Sequence, residues 1–337
     1  MSLKRLVDVN TVAQLLKKNI INKEGVRILD CTYDHTLVAK KPDWKHFKKE
    51  LFGKFEKILA QPCPSKRLYL SGHIPKAPHI CMDVAFYPSE YERFALYPPE
   101  VFQEYVQMLG IDAGEHLILY ARGMFGGMLH ASKFAWLFKS YGHEKVSVVD
   151  GGFDEWTKKG YEVSKDDVNL KRGTWKANDE MAKNNIKFEQ LEEQHGDRKY
   201  IEWTDDLNLL DARVRGQFEG TVATGAPPGV TGTHIPGFKC VPAGELVEEG
   251  RMRSNEDIRN WLEQSGFKPD RPSVILCNTG VQAAMLAYAI KGIFPQNPIQ
   301  VYNAQIWILD EFSGKQISEV DVAGSHGVNG KLPQLLC

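Results

Sequence analysis

Four stations recur in the same order along each half of this chain, and that internal repeat restricts the fold more than any single motif. Ile28-Leu29-Asp30 matches Leu209-Leu210-Asp211, a short apolar strand closed by an Asp. Gly72-His73-Ile74-Pro75 matches Thr233-His234-Ile235-Pro236, a turn through which the chain re-enters the core. Leu117-Ile118-Leu119-Tyr120 matches Val274-Ile275-Leu276-Cys277, a continuous apolar run of the kind expected for a strand buried on both faces. Val148-Val149-Asp150-Gly151-Gly152-Phe153 matches the run from Gln300 to Ile306, a further buried strand followed by a turn. Between the last two stations each half carries a segment that reads as an amphipathic helix, His130 to Tyr141 and Gln282 to Ile293. Strand, helix, strand in that order gives an α/β fold, a mostly parallel sheet covered by helices on both faces.

The 337 residues also exceed the usual single core, so the repeat is read as two domains. Asp166 to Asp206 is polar and irregular except for Ile186 to Leu191, which echoes Asn10 to Leu16 as an opening helix. The expected division is a first domain over 1–165, a linker over 166–183 and a second domain over 184–325.

A formal net charge of −1, with Lys and Arg in short scattered groups, gives no electrostatic basis for binding nucleic acid or an anionic membrane. No apolar stretch approaches the roughly 20 residues that span a bilayer. The N-terminal residues lack both a signal-peptide apolar core and an Arg-rich transit segment, so a cytoplasmic protein is expected. Cysteines at 31, 63, 81, 240, 277 and 337 form no Cys-x-x-Cys pair, which argues against a metal knuckle, a thioredoxin-type dithiol or a disulfide framework.

Cys277 stands apart from the other thiols. It follows the apolar run from Ser273 to Leu276 and precedes Asn278-Thr279-Gly280-Val281-Gln282-Ala283, which reads as a tight loop opening into a helix. Such a loop aims free backbone N–H groups and the positive end of a helix at the sulfur, favouring a thiolate or an anionic persulfide. A free Cys in isolation is more often a small buried apolar residue. The repeat argues otherwise here, because the matching station of the first half, Tyr120-Ala121-Arg122-Gly123, holds no comparable nucleophile. One half keeps a site and the other a scaffold. A Cys-x5-Arg phosphatase loop is excluded by Ala283 at the position its Arg requires.

Taken together the stations resemble the tandem rhodanese family, the thiosulfate and 3-mercaptopyruvate sulfurtransferases, over nearly the whole chain. The family's Cys-x-x-Gly-Val-x-Ala loop fits Cys277, Gly280, Val281 and Ala283. The resemblance implies two rhodanese-like domains, the first catalytically inactive, with Cys277 in the cleft between them as the only essential thiol. It further implies a ping-pong cycle. Cys277 takes sulfane sulfur from thiosulfate or 3-mercaptopyruvate, then passes it to cyanide, a thiol or a thioredoxin-like reductant, with no metal or organic cofactor. Asn278, Thr279, Gly280, Val281 and Gln282 would form the substrate loop. The Thr279 hydroxyl is closer to mercaptopyruvate-type members than to thiosulfate-type members, which carry basic residues after the Cys.

The chain departs from its family at the donor-holding positions. Gln217 stands where members carry an Arg, and no Arg occurs between Arg215 and Arg251. An anionic donor therefore loses a planar guanidinium clamp unless Arg213 or Arg215 supplies one. Weak use of both donors is the expectation. Gln282 replaces a usual Thr, and Asn303 a usual Asp. A hydroxyl–His–acid relay of mercaptopyruvate-type members is matched by Thr279 and His73, but no Asp or Glu lies between Glu56 and His73 to complete it. A rhodanese pair retained as a binding or regulatory module is the competing reading.

Overall fold

The structure, a computed structural model, describes residues 3–37, 42–223 and 234–303. Its first sheet contains β1 (Leu6–Val7), β2 (Val26–Asp30), β3 (His116–Tyr120) and β4 (Val146–Val149), in spatial order β1-β4-β3-β2 with every pairing parallel. The chain then forms β5 (Asn185–Ile186), a hairpin of β6 (Gln194–His195) and β7 (Arg198–Lys199), then β8 (Asn208–Asp211) and β9 (Lys239–Cys240). A second hairpin of β10 (Val247–Glu248) and β11 (Arg251–Met252) precedes β12 (Ser273–Leu276) and β13 (Ile299–Tyr302). The second sheet runs β5-β13-β12-β8-β9, again parallel throughout. Opening strand, last strand, middle strand and Asp-closed strand thus occupy the same places in both sheets. The one bridge between Asp30 and His79 stands where β8 pairs β9 through Asp211 and Cys240.

The strands that read as continuous apolar runs are buried along their length. β2 tolerates Arg27 inside that run because its guanidinium makes a two-point contact with Glu115, at 3.1 and 2.8 Å. Both closing aspartates turn the chain by the same device. Asp30 Oδ1 accepts the Thr32 amide at 2.8 Å, and Asp211 Oδ1 accepts the Arg213 amide at 3.0 Å.

The two long helices differ from expectation. Helix Met128–Ser140 and helix Val281–Ile293 are not amphipathic: almost every residue of each is buried. Each covers its own sheet on one side and packs against the other helix on the opposite side, so neither keeps a wet face. A single apolar cluster accordingly joins Leu119, Phe134 and Leu137 of the first half to Leu210, Ile275, Ala283 and Met285 of the second. Tyr288 reinforces the junction. Its hydroxyl receives the Val148 amide at 3.2 Å and donates to the Arg5 carbonyl, while the Arg5 guanidinium lies 4.4 Å from its ring centre.

The segment expected to be a linker, 166–183, is instead fastened to the first domain. Its Trp175 is 1% exposed and sits edge-on to Phe102 and Phe138, with its backbone N–H bonded to Ile111 O at 3.1 Å. Asn178 and Glu180 donate to Tyr141 O and Ser140 O, both at 3.0 Å, before the chain enters β5. A segment with a buried Trp and regular backbone contacts is part of the domain it covers.

Candidate active site

Cys277 follows directly on β12, and the next residues make a short turn into helix Val281–Ile293. Gly280 caps that helix in the left-handed region, φ 73°. A Cβ there would stand 2.5 Å from Asn303 Oδ1, so glycine is required by both backbone and space. Among the described residues, no amide from Asn278 to Ala283 has a hydrogen-bond acceptor. These donors lie in the loop next to the sulfur, at the positive end of a thirteen-residue helix. Backbone donors arranged in this way can stabilise an anion without a charged side chain. Cys277 is 1% exposed, which reduces competition from water for the same charge.

The matching loop of the first domain has filled its own cradle. Arg122 enters it, donating from Nε to Thr32 Oγ1 at 3.2 Å and from Nη2 to Gly72 O, and lying 3.8 Å from the Asp30 carboxylate. The Gly123 amide is taken by Asp154 Oδ2 at 2.7 Å. This half holds no thiol at that station, and its Gly123 amide is already engaged.

The structure brings Gln217 to the cysteine loop and keeps the nearby arginines in other pairs. Gln217 is 1% exposed; its Oε1 accepts Asn278 Nδ2 at 3.0 Å, and its Nε2 donates to Ala223 O at 3.2 Å. Arg213, also 1% exposed, folds back on Asp211 with Nε at 3.0 Å from both oxygens and Nη2 at 2.6 Å. Arg215 makes a two-point pair with Glu245 at 2.6 and 2.7 Å, and Glu245 also accepts Trp261 Nε1 at 2.9 Å. Thr279 is half-buried, while Val281 and Gln282 are buried at the helix start.

His73 does not join the loop. Its Nδ1 lies 2.9 Å from Ile74 O and its Nε2 2.8 Å from Asp166 O, and the ring stacks on Tyr69 at 4.2 Å. All these partners belong to the first half of the chain. With both nitrogens engaged by backbone carbonyls, the imidazole has no free position from which to pass a proton to Thr279. The relay expectation is therefore corrected: His73 fastens the segment after Ser164 to its own domain.

Lys133, which the sequence reading passed over, is the first domain's contribution to the site. It projects from helix Met128–Ser140, is 2% exposed, and donates to Gly280 O at 3.3 Å and to Asn303 Oδ1. Asn303 in turn donates from Nδ2 to Phe94 O. Burial pulls the Lys133 amine down to about 8, against the opposing pull of the Cys277 thiolate and the Glu92 carboxylate. Its only sequence signal was a Lys directly before a run apolar enough to be core, from Phe134 to Phe138. Cys337 lies outside the described residues. Cys63 and Cys81 touch each other, Sγ to Sγ 3.5 Å apart, in the first domain. Among the described residues no cluster of His, Cys, Asp or Glu could hold a metal ion, and no helix is long and apolar enough to cross a membrane.

Comparison with known proteins agrees with this geometry. The model of the rhodanese-like domain matches residues 12–159. The chain is 50% identical to mpst-1 of Caenorhabditis elegans, a thiosulfate sulfurtransferase by its provisional name, over 95% of this chain and 98% of that protein. It is 30% identical to the thiosulfate sulfurtransferase of Gallus gallus over 64% of this chain and 71% of that one. The crystal structure of the 3-mercaptopyruvate sulfurtransferase SseA of Escherichia coli shares the fold, with a TM-score of 0.67 at 22% identity, covering 90% of this chain and 99% of its own. Tandem parallel sheets, a thiol loop in the second alone, and a relative similar along almost its whole length place this chain in the tandem rhodanese family of sulfurtransferases.

Proposed function

We propose that the chain transfers sulfane sulfur through a persulfide on Cys277, taking it from thiosulfate or 3-mercaptopyruvate and delivering it to cyanide or a thiol. The observation that carries this reading is the set of unengaged amides from Asn278 to Ala283 around a buried Cys at a helix start. In the first half-reaction the thiolate attacks the outer sulfur of the donor. The new S–S bond takes that sulfur, and the pair of electrons leaves with sulfite, or with the enolate of pyruvate, which then gains a proton. The terminal sulfur now carries the negative charge, and the loop amides hold it until a nucleophilic acceptor removes that sulfur and returns the thiolate. A thioredoxin-like dithiol can serve as acceptor because it offers a thiolate for the attack and a second thiol to resolve the product.

Donor holding is the step at which this chain is weakest. Gln217 reaches the loop as a neutral hydrogen-bonding group, and Arg213 and Arg215 already face carboxylates. That arrangement also favours the second reading, a rhodanese pair kept for binding rather than turnover. Intact mass separates the two. Incubation with each donor should add the mass of one sulfur atom to the native protein, and cyanide or a thiol should remove it. Native protein that takes up no sulfur from either donor, while remaining folded, decides for the binding module.

A further inference from the structure

Three candidates outside the assigned chemistry stand out: the Cys63–Cys81 contact, the groove beside Lys76 and Lys165, and Lys133. The groove is open to solvent, and the buried Asn22 Oδ1 on its lining, although unpartnered, singles out no class of ligand. The thiol contact lies within the first domain, and none of its bonded partners belongs to the Cys277 loop. Lys133, by contrast, reaches from the first domain to the Cys277 loop of the second.

We infer that Lys133 is a positioning residue of the sulfur-transfer site, a cation lent by the inactive domain that holds the Cys277 loop in shape and sets its electrostatic field. The inference rests on the proposed persulfide reading. Its geometric basis is threefold. First, the ammonium is bonded to the carbonyl of Gly280, the residue whose left-handed backbone ends the thiol loop and begins the helix. Second, it is bonded to Asn303 Oδ1, which would be overlapped by any side chain at Gly280, so ammonium, amide and loop turn are packed as one unit. Third, among the described residues no carboxylate lies within 4.0 Å of Lys133, whereas Arg213 and Arg215 are each matched by one. Asn303 is the decisive neighbour. A neutral amide orders the ammonium without cancelling its charge, as the carboxylate of an Asp would.

The surroundings on each side are accounted for. Helix Met128–Ser140 supplies the stem; the thiol loop supplies Gly280 and the Cys277 sulfur; the turn after β13 supplies Asn303. The segment before Phe94 supplies Glu92, whose own proton affinity is raised by burial and lowered by Lys133. The Phe86 ring covers the ammonium at 5.2 Å from its centroid. Because the amine titrates near the working range, its field on the loop is present when protonated and vanishes on the alkaline side. Cys277 and Glu92 are the groups whose negative charge would act on it.

The test measures single-turnover sulfur uptake by intact mass, from pH 6 to pH 10, for the native protein and for Lys133→Met and Lys133→Arg. Lys133→Met keeps length and apolar stem but lacks charge, and should load roughly tenfold or more slowly at pH 7, with no decline tied to the amine at alkaline pH. Lys133→Arg keeps a cation that does not titrate, and should recover most of the rate and carry it further into the alkaline range. Thermal unfolding confirms that each variant is folded. The proposal is overturned if Lys133→Met loads as fast as the native protein with the same pH profile. It is equally overturned if both variants are slow with the native profile unchanged, the mark of a purely structural part. Native protein that loads no sulfur at any pH removes the persulfide reading itself, and this inference with it.

Discussion

Cys277→Ser replaces the sulfur with a smaller and far less nucleophilic oxygen in the same loop, so the chain should fold as before and take up no sulfur from either donor. Cys63→Ser should leave uptake unchanged, since the Cys63 sulfur is bonded to Cys81 and the Lys66 amide, both in the first domain. Equal loading of the Cys277→Ser protein, read by mass, removes that thiol from the mechanism. Gln217 provides the sharper test of donor choice. A charge-assisted contact exceeds a neutral one by about 1–2 kcal/mol, so Gln217→Arg should lower the KM for thiosulfate or 3-mercaptopyruvate by roughly tenfold. An unchanged KM for both donors means that the anion is held elsewhere. Lys133 makes a separate prediction about stability. Its folded pKa of about 8 lies below the ordinary 10.5, so the unfolded chain binds that proton more tightly and burial of the ammonium opposes folding below pH 8. The sign follows directly: this penalty is relieved as pH rises from 8 towards 10.5, by about 3 kcal/mol in all. Urea unfolding should show the native protein gaining stability relative to Lys133→Met between pH 7 and pH 10. Parallel curves for the two proteins contradict the assignment. The absolute offset is no guide, because Met also leaves Asn303 Oδ1 without its donor.

At the scale of elements, the strands were legible because a parallel sheet covered on both faces writes an uninterrupted apolar run, as at Leu117 to Tyr120 and Val274 to Leu276. The thiol loop was legible for a related reason: one Gly between a buried strand and a helix leaves few backbone solutions, and Gly280 adopts one of them. Two elements were misread. The segment at 166–183 is polar enough to pass for a linker, yet its Trp175 is buried in the first domain, and nothing local in a sequence says where a lone aromatic will be buried. The two long helices, read as amphipathic, are buried on nearly all sides, polar residues included. Lys133 and Gln282 are buried, Lys133 through partners far away in sequence. The loop also gives a paired prediction. Gly280→Ala must place a Cβ 2.5 Å from Asn303 Oδ1 at φ 73°, whereas Gly123→Ala in the loop that lacks a thiol meets nothing within 4 Å at φ 80°. Both incur backbone strain of about 1–3 kcal/mol, but only the first must also displace a neighbour. Gly280→Ala should therefore have the lower urea midpoint and lose sulfur uptake, while Gly123→Ala keeps it. Equal effects of the two substitutions on uptake would show that the crowding at Gly280 is unimportant.

At the scale of the molecule, the repeat predicted two similar sheets but not how they depend on one another, because interface contacts join residues with no local pattern in common. Arg251 illustrates this. It comes from the second domain, donates from Nε to Asp150 Oδ2 at 2.7 Å, and sits beside the Met252 amide, which donates to Asp150 Oδ1 at 2.8 Å. Asp150 closes β4 as Asn303 closes β13, so each domain has the end of its last strand bonded by a cation from the other. Between these two ties lies the shared apolar cluster, with helix Met128–Ser140 against helix Val281–Ile293. Separating the halves would expose both helices along faces with almost no polar residues, and burial of such surface stabilises by about 25 cal/mol per Å². Each half keeps a smaller cluster on the other face of its own sheet, around Ile28 and Ile118 and around Leu209 and Val274, but the largest cluster is shared, so the division into domains should vanish in a stability measurement. Urea unfolding followed by Trp fluorescence and by far-UV circular dichroism should give one coincident transition, although the Trp residues lie in both halves. Asp150→Ala, which breaks one tie and leaves Arg251 to Glu155 alone, should move that single transition to lower urea without splitting it. Two separate transitions in the native protein, or a split caused by Asp150→Ala, would mean that the halves fold as independent units and that Lys133 acts across a junction that can open without unfolding either one.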